Sequence, residues 1–513
     1  MVRGMTGANI SKYGWPLAVI MLAVVIRLFA PPDPNIDWLI SNNRAFLHGA
    51  ALYHDIVETN PPMAVFIYLP AALAEQWTGL AAEPVFMVMV LLAGVAAAVF
   101  FSRSLKSGFR WTLPVILFVV LIAPLSAFGE REHVAVILML PLFGLLIRRA
   151  DGEQSGWPEI VTAGLLAGIA PMIKPYFALG VITACLWLAV RQRNLRLLFV
   201  PEAVIAAAMT LLIAALVWFY LPAYPREVLP LLMDVYAPLR RPLGDFIWST
   251  NVQACVIAVI LLYLAMRGRR IEPITGVLLA GATGFFIAFL IQGRGWSYHA
   301  YPAVGLLMLA AAFAVPVVKG RERIYALAAV AAALFNLTTY MYFPGAGYGG
   351  VRLVAPIRAA VKAPSVMSIT ADLTPGHPIT TDVGGTWAGT YSSRWITVNA
   401  IKRLARRPDA GTRARLEDWL AYDRRVTNRD LATRRPDIVL VGIGGYDWRK
   451  WIAADKDTAR LMADYRPLAA DTLTGEQKGR YEPVMAYIRK DLPMLTDSPP
   501  PRLRQGYRIW LLE

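Results

Sequence analysis

Cysteine is almost missing: the 513 residues include two, Cys185 and Cys255, and both fall inside apolar runs. That excludes a disulfide framework and a thiolate metal site and leaves the pair as packing residues. Charge is thin as well, at 17% of the chain against 57% hydrophobic residues, too little polar surface for one soluble core. Lipid must be part of the solvent. Histidine is scarce, with five in the chain and no HExxH pair; His48 and His54 do not share a helical face and His377 stands alone, which argues against a zinc site. The pieces DVGGTW and VGIGGYDW lack the Lys-Ser/Thr of a P-loop and the GxGxxG of a helix start, and so read as turns. No periodic internal repeat is present. The net charge is +16, and the basic residues of the first 343 positions lie mostly in short clusters between apolar runs, a spacing that belongs to membrane topology and not to nucleic-acid binding.

What is present is a series of apolar windows of bilayer-crossing length. They predict an α-helical polytopic membrane protein with about eleven spans, at 15–31, 83–102, 111–127, 133–148, 158–173, 175–190, 197–221, 247–266, 273–291, 299–318 and 324–343. The first is read as a retained span, since no small-x-small cleavage site follows it. Alternate connections hold sixteen Lys/Arg, among them Arg3, Lys12, Lys106 and Arg267, and the intervening ones hold seven. The positive-inside rule then puts the N-terminus in the cytoplasm and everything beyond Phe343 outside. Residues 61–79 form an apolar stretch read as an interfacial helix, because a twelfth span would reverse every later loop. From Pro344 the composition turns polar, with 27 Lys/Arg against 18 Asp/Glu. The chain thus divides into a membrane domain, 1–343, and a soluble mixed α/β domain, 344–513. Strands are expected at SVMSITADL, HPITTD, RWITV and PDIVLVG, and helices at 410–430 and 447–465.

Sorted by side, the unusual polar residues gather outside. The first outer loop, 32–82, carries Asp33, Asp37, Asp55 and Glu58; later ones carry Glu130, Arg131, Glu132 and His133, then Lys174 and Tyr176, then Arg240 and Arg241, then Arg294, Trp296, Tyr298 and His299. A single such residue reads as a snorkelling anchor or an interface aromatic. Five loops converging on one face describe a cleft that holds an anion and still offers a base.

These residues resemble the GT-C superfamily of membrane glycosyltransferases, which use polyprenyl-phosphate sugars and include aminoarabinose, arabinofuranosyl and protein mannosyl transferases. The likeness rests on an acidic residue soon after the first span, the element G-x-x-L-Y-x-D-I-x-E-x-N-P-P from Gly49 to Pro62, the acidic loop GEREH from Gly129 to His133, and the soluble outer C-terminal domain. It implies a polyprenyl-phosphate-linked donor and an acceptor hydroxyl on a cell-envelope glycan, glycolipid or protein, joined with inversion at the outer face of a bacterial inner membrane. Asp37 in NIDW falls at the place of the base, with Glu130 and Glu132 at the second acidic site. Two departures stand out. Asp37 is followed by Trp38 and not by a second carboxylate, which leaves assistance by a divalent cation (Mg, Mn or Ca) open. Asn60 stands where some relatives have a lysine, so phosphate contacts fall to Lys174 and the arginines. Asp55, Glu58, Asn60, Arg131, His133, Tyr176, Arg240, Arg241, Arg294, Trp296, Tyr298 and His299 complete the expected binding set.

Other classes stay open at this point. A transporter predicts ionisable groups near mid-bilayer and an inverted repeat, and neither is evident. A polysaccharide polymerase would place its rich loop late in the chain, whereas here the first is richest. A non-catalytic envelope assembly protein also fits the topology.

Overall fold

A computed structural model describes residues 7–30, 33–105, 109–340, 350–471 and 482–493; Arg3 and Lys106 lie outside the described residues. Among the described residues each of the eleven apolar windows contains a helix, although the one at 111–127 is broken after Ile122; residues 341–343 of the last window lie outside the described residues. Without water, a backbone must satisfy its own hydrogen bonds, and the Ala-, Leu- and Val-rich runs do so as helices. Among the described residues, six helices are long and apolar enough to cross a membrane: Ala82–Arg103, Arg131–Ala150, Pro175–Gln192, Pro201–Tyr220, Pro273–Gln292 and Ser297–Ala314. Tyr13–Phe29 joins Pro34–Leu47 through a bend of 78°, and Trp111–Ile122, Trp157–Ile173 and Thr250–Met266 are shorter apolar helices. The chain is a multi-pass membrane protein. Within 61–79 the helices are Met63–Phe66 and Leu69–Thr78, and a helix of ten residues is about 15 Å long, half a bilayer core.

Glycine sets how closely the helices pack. A Cβ at Gly284 would stand 2.2 Å from the Leu179 carbonyl oxygen, and one at Gly168 2.5 Å from that of Ala206. Close backbone approach through small residues is the usual means of association in lipid. At the end of the bundle away from the soluble domain, Arg149 Nε and Glu202 Oε1 pair at 2.6 Å and Arg148 Nη1 and Glu159 Oε2 at 2.6 Å.

Beyond residue 350 the chain forms an α/β domain with, among the described residues, five strands: β1 (Ser365–Ile369), β2 (Thr386–Trp387), β3 (Ile438–Gly442), β4 (Tyr465–Asp471) and β5 (Val484–Arg489), in the order β2-β1-β3-β5-β4. β1 runs parallel to β2 and β3, while β5 is antiparallel to β3 and β4. All five residues of β3 are buried, as a central strand covered on both faces requires.

Two expected strands are helices. HPITTD forms His377–Asp382, with Pro378 in its first turn and Thr380 Oγ1 donating to the Gly376 carbonyl at 2.6 Å. RWITV opens Trp395–Leu404, which buries Trp395, Ile396, Thr397 and Ala400 along one side; the β-branched run read as strand, but tertiary packing favours the helical period. The helix expected at 410–430 is Ala410–Arg434. The one expected at 447–465 is two, Trp448–Ala453 and Lys456–Met462, split where Asp455 caps the second by accepting from Thr458 N at 2.8 Å.

The α/β domain is docked on the loops at one end of the bundle. Arg434 Nη2 donates to the Asp55 carbonyl at 2.6 Å, Val57 N to the Thr390 carbonyl at 2.8 Å, and Trp419 Nε1 to Asp234 Oδ2 at 3.2 Å. Trp38 of helix Pro34–Leu47 packs on His377, ring centres 4.6 Å apart.

Candidate functional site

A cavity of about 1050 Å³ lies between that end of the bundle and the soluble domain. Its walls come from the bundle around Asp33–Trp38, Val57–Pro61, Ser126 and Arg131, Lys174–Tyr176, Tyr224–Arg241 and Ile291–His299, and from Ala371–Thr374 and the helix Trp395–Leu404 of the α/β domain.

One charge group forms where helix Pro34–Leu47 meets the start of Arg131–Ala150. Asp33 is the N-cap, accepting from Asn35 N at 2.9 Å. Asn35 Nδ2 donates to Asp33 Oδ1 at 2.9 Å and also to Glu130 Oε1 at 3.0 Å, tying two carboxyl groups together. Removal from water, and then the neighbouring Glu130, hold the Asp33 carboxyl well above the usual carboxylate range; the Asn35 N–H and Arg131 act the other way. Arg131 Nη2 lies 3.3 Å from Glu130 Oε2, and its Nη1 lies 3.8 Å from Glu58 Oε1. Glu58 accepts from Asn60 N at 3.0 Å and from Trp38 Nε1. Gly129, at φ +84°, makes the turn before Glu130; a Cβ there would meet Ile36 at 3.0 Å.

A second group is centred on Glu132. Its Oε1 accepts from Lys174 Nζ at 2.5 Å and lies 3.4 Å from His299 Nε2; its Oε2 has no hydrogen-bond partner among the described residues. Lys174 Nζ also lies 3.2 Å from His299 Nε2, 3.4 Å from Gln292 Oε1 and 5.8 Å from the Tyr298 ring centre. Burial lowers the Lys174 ammonium, and Glu132 opposes that shift. Trp296 stacks on Tyr298 at 5.8 Å, and Arg294 lies 3.8 Å over Tyr236. The two groups combine buried carboxylates with cations that still face the cavity through Arg131 and Lys174.

Of the expected residues, Asp37, Glu58, Asn60, Arg131, Lys174, Tyr176, Arg240, Arg241, Arg294, Trp296, Tyr298 and His299 line the cavity. Glu130 and Glu132 lie directly behind Arg131 and Lys174. Two stand apart. His133 Nδ1 accepts from Gly129 N at 2.9 Å and its Nε2 lies 2.7 Å from the Val120 carbonyl, so both ring nitrogens are used inside the protein. Asp55 is on the surface, accepting from Ala51 N at 2.8 Å. Asp37 is 4% exposed; burial, Glu83, Asp382 and Asp33 raise its carboxyl, and Arg44 opposes them. Missing from the expected set are Asp33, Asn35, Tyr236, Gln292 and the soluble-domain wall. Asp33 in PDPN reads as an ordinary helix cap, which it also is.

Among the described residues no group of three or more His, Cys, Asp or Glu is arranged to hold a metal ion. Asp33, Asn35 and Glu130 bring two carboxylates and an amide together, bonded to one another through Asn35 Nδ2.

No family model and no curated protein matches the chain. Among solved structures it is similar to "ArnT from Cupriavidus metallidurans bound to undecaprenyl phosphate", with a TM-score of 0.51 and 14% identity over 94% of this chain and 98% of that one. Likeness at this identity concerns the fold: the chain is a multi-pass membrane protein whose overall architecture is similar to that of this solved structure.

Proposed function

We propose that the chain is a membrane glycosyltransferase that moves a sugar from a polyprenyl-phosphate donor to a hydroxyl of a cell-envelope glycan, glycolipid or protein, with inversion. The observation that carries this reading is the pairing of carboxyls, half-buried at Asp33 and buried at Glu130 and Glu132, with cavity-facing cations, Asp33 and Glu130 beside Arg131 and Glu132 beside Lys174, in a fold similar to one solved with undecaprenyl phosphate. The bias of Lys/Arg toward alternate loops supports a cytoplasmic N-terminus and a soluble domain on the outer face of a bacterial inner membrane.

In this reading the donor phosphate sits against Arg131, Lys174 and Arg294. The acceptor oxygen attacks the anomeric carbon as its bond to the phosphate oxygen breaks. The leaving phosphate gains charge, which preorganised guanidinium and ammonium donors stabilise. The acceptor proton passes to a carboxylate, and a raised carboxyl pKa suits that task near neutral pH. Two residues compete for the role. Asp33 stands one residue-contact from the cation group through Glu130 and Arg131, whereas Asp37 is crowded by Glu83 and Asp382. Asp33 is therefore the favoured base and Asp37 a support for the helix that carries it. The test is turnover of Asp33→Asn and Asp37→Asn with a polyprenyl-phosphate sugar. Asp33→Asn is expected to lose about 10²- to 10⁴-fold in kcat, with Asp37→Asn within about tenfold of the parent on the same scale. The reverse order would move the base to Asp37.

A further inference from the structure

The cavity is wide, and its cations fall into two kinds. Arg131 and Lys174 are each bound to buried carboxylates. Arg240, Arg241, Lys402 and Arg406 also line it, but make no ion pair among the described residues. Lys402 and Arg406 come from the soluble domain, on the helix Trp395–Leu404 and the turn that follows it. Trp395, Asn399, Lys402 and Arg406 all face the cavity, and their spacing of four, three and four is one side of a helix. That side runs from an aromatic floor, where Trp395 packs on Tyr236 with ring centres 5.8 Å apart, through an amide to two cations. The soluble-domain carboxylate on the wall, Asp372, is turned to its own loop, accepting from Thr374 N at 3.2 Å and Thr374 Oγ1 at 3.1 Å.

A donor phosphate needs one set of cations. The inner set is already placed beside the candidate base, so the outer set is surplus to the leaving group. An aromatic plane followed by an amide and paired cations suits a sugar ring bearing an anionic group. We propose that this face of helix Trp395–Leu404, with Arg240 and Arg241 from the bundle, is the subsite for an acceptor that carries its own phosphate or carboxylate. The inference rests on the glycosyltransferase reading above, and adds to it the acceptor's charge and the element that selects it. Because these cations are exposed, binding through them weakens with added salt.

The experiment uses the full chain purified in neutral detergent, with four probes titrated separately: glucose 6-phosphate, glucose, phosphatidylglycerol in mixed micelles, and undecaprenyl phosphate. Glucose 6-phosphate is expected to bind more tightly than glucose. Lys402→Gln/Arg406→Gln is expected to weaken it by about 10-fold, the loss of one charge-assisted contact, while the charge-keeping Lys402→Arg/Arg406→Lys retains it and undecaprenyl phosphate binds the Gln variant as it binds the parent. Equal binding of the two sugars, or a Gln variant that binds like the parent, would overturn the proposal. A Gln variant that loses phosphatidylglycerol and keeps glucose 6-phosphate would also overturn it, making the patch a headgroup site. Failure of undecaprenyl phosphate to bind the parent would instead strike the donor reading, and the acceptor subsite with it.

Discussion

Lys174→Met separates the two jobs that the Lys174 ammonium holds. Its Nζ lies 2.5 Å from Glu132 Oε1, the Glu132 side chain is fully buried, and Glu132 Oε2 has no hydrogen-bond partner among the described residues. Removing the cation leaves a buried carboxylate whose remaining ion-pair neighbour within 4 Å, among the described residues, is His299 Nε2 at 3.4 Å. Breaking a buried pair from one side costs about 3–5 kcal/mol. Replacing both partners, as Glu132→Gln/Lys174→Met, removes the stranded charge, and about 1–3 kcal/mol of the stability is expected to return as coupling. Catalysis does not follow. If Lys174 holds the donor phosphate, both variants lack that donor and lose about 10²- to 10³-fold in kcat. Thermal unfolding in detergent and turnover with a polyprenyl-phosphate sugar read the two effects on the same samples. A double variant that regains both stability and turnover would make Lys174 a purely structural counter-ion. A single variant as stable as the parent would contradict the buried pair itself.

Two further outcomes test the fold. Glu482 accepts from Ala371 N at 2.7 Å and Trp448 Nε1 at 2.8 Å, and burial raises its carboxyl from 4.5 to about 7. The folded state therefore holds a proton that the unfolded chain releases first, so this site's stabilisation is complete below pH 4.5 and falls as pH rises through about 7, a change of about 2–4 kcal/mol. Glu482→Gln should flatten that part of the stability–pH profile, and an unchanged slope would assign it to another group. Gly284→Ala drives a Cβ to 2.2 Å from the Leu179 carbonyl oxygen, whereas Gly14→Ala meets nothing within 4 Å. The first should destabilise by about 1–3 kcal/mol and the second should not; equal unfolding temperatures would refute the packing.

The bundle was legible because lipid allows few solutions: apolar windows with charged ends became helices, and the positions of Glu130, Glu132 and Lys174 at helix ends brought them together. The cap role of Asp33 hid its second role. Glu130 is far away in sequence, and what joins them is the Asn35 side chain bonded to both. The soluble-domain wall was lost through one misread element. As a strand, RWITV and its continuation would put Asn399 and Lys402 on opposite faces; as the helix Trp395–Leu404 it puts them both on the cavity wall. His133 illustrates the converse, a polar residue beside an acidic loop whose ring is used up by Gly129 N and the Val120 carbonyl. Strand β4 carried little pattern, since it includes Pro467 at a register shift and is mostly uncovered.

The most direct test of the central claim is incubation of the purified full chain, in a lipid bilayer, with a panel of undecaprenyl-phosphate sugars while free undecaprenyl phosphate is followed. Release from at least one donor, accelerated by an acceptor and lost in Asp33→Asn, is the expected result. A panel in which no donor is cleaved, though undecaprenyl phosphate itself binds, would contradict glycosyl transfer and leave a lipid-binding protein of the same fold.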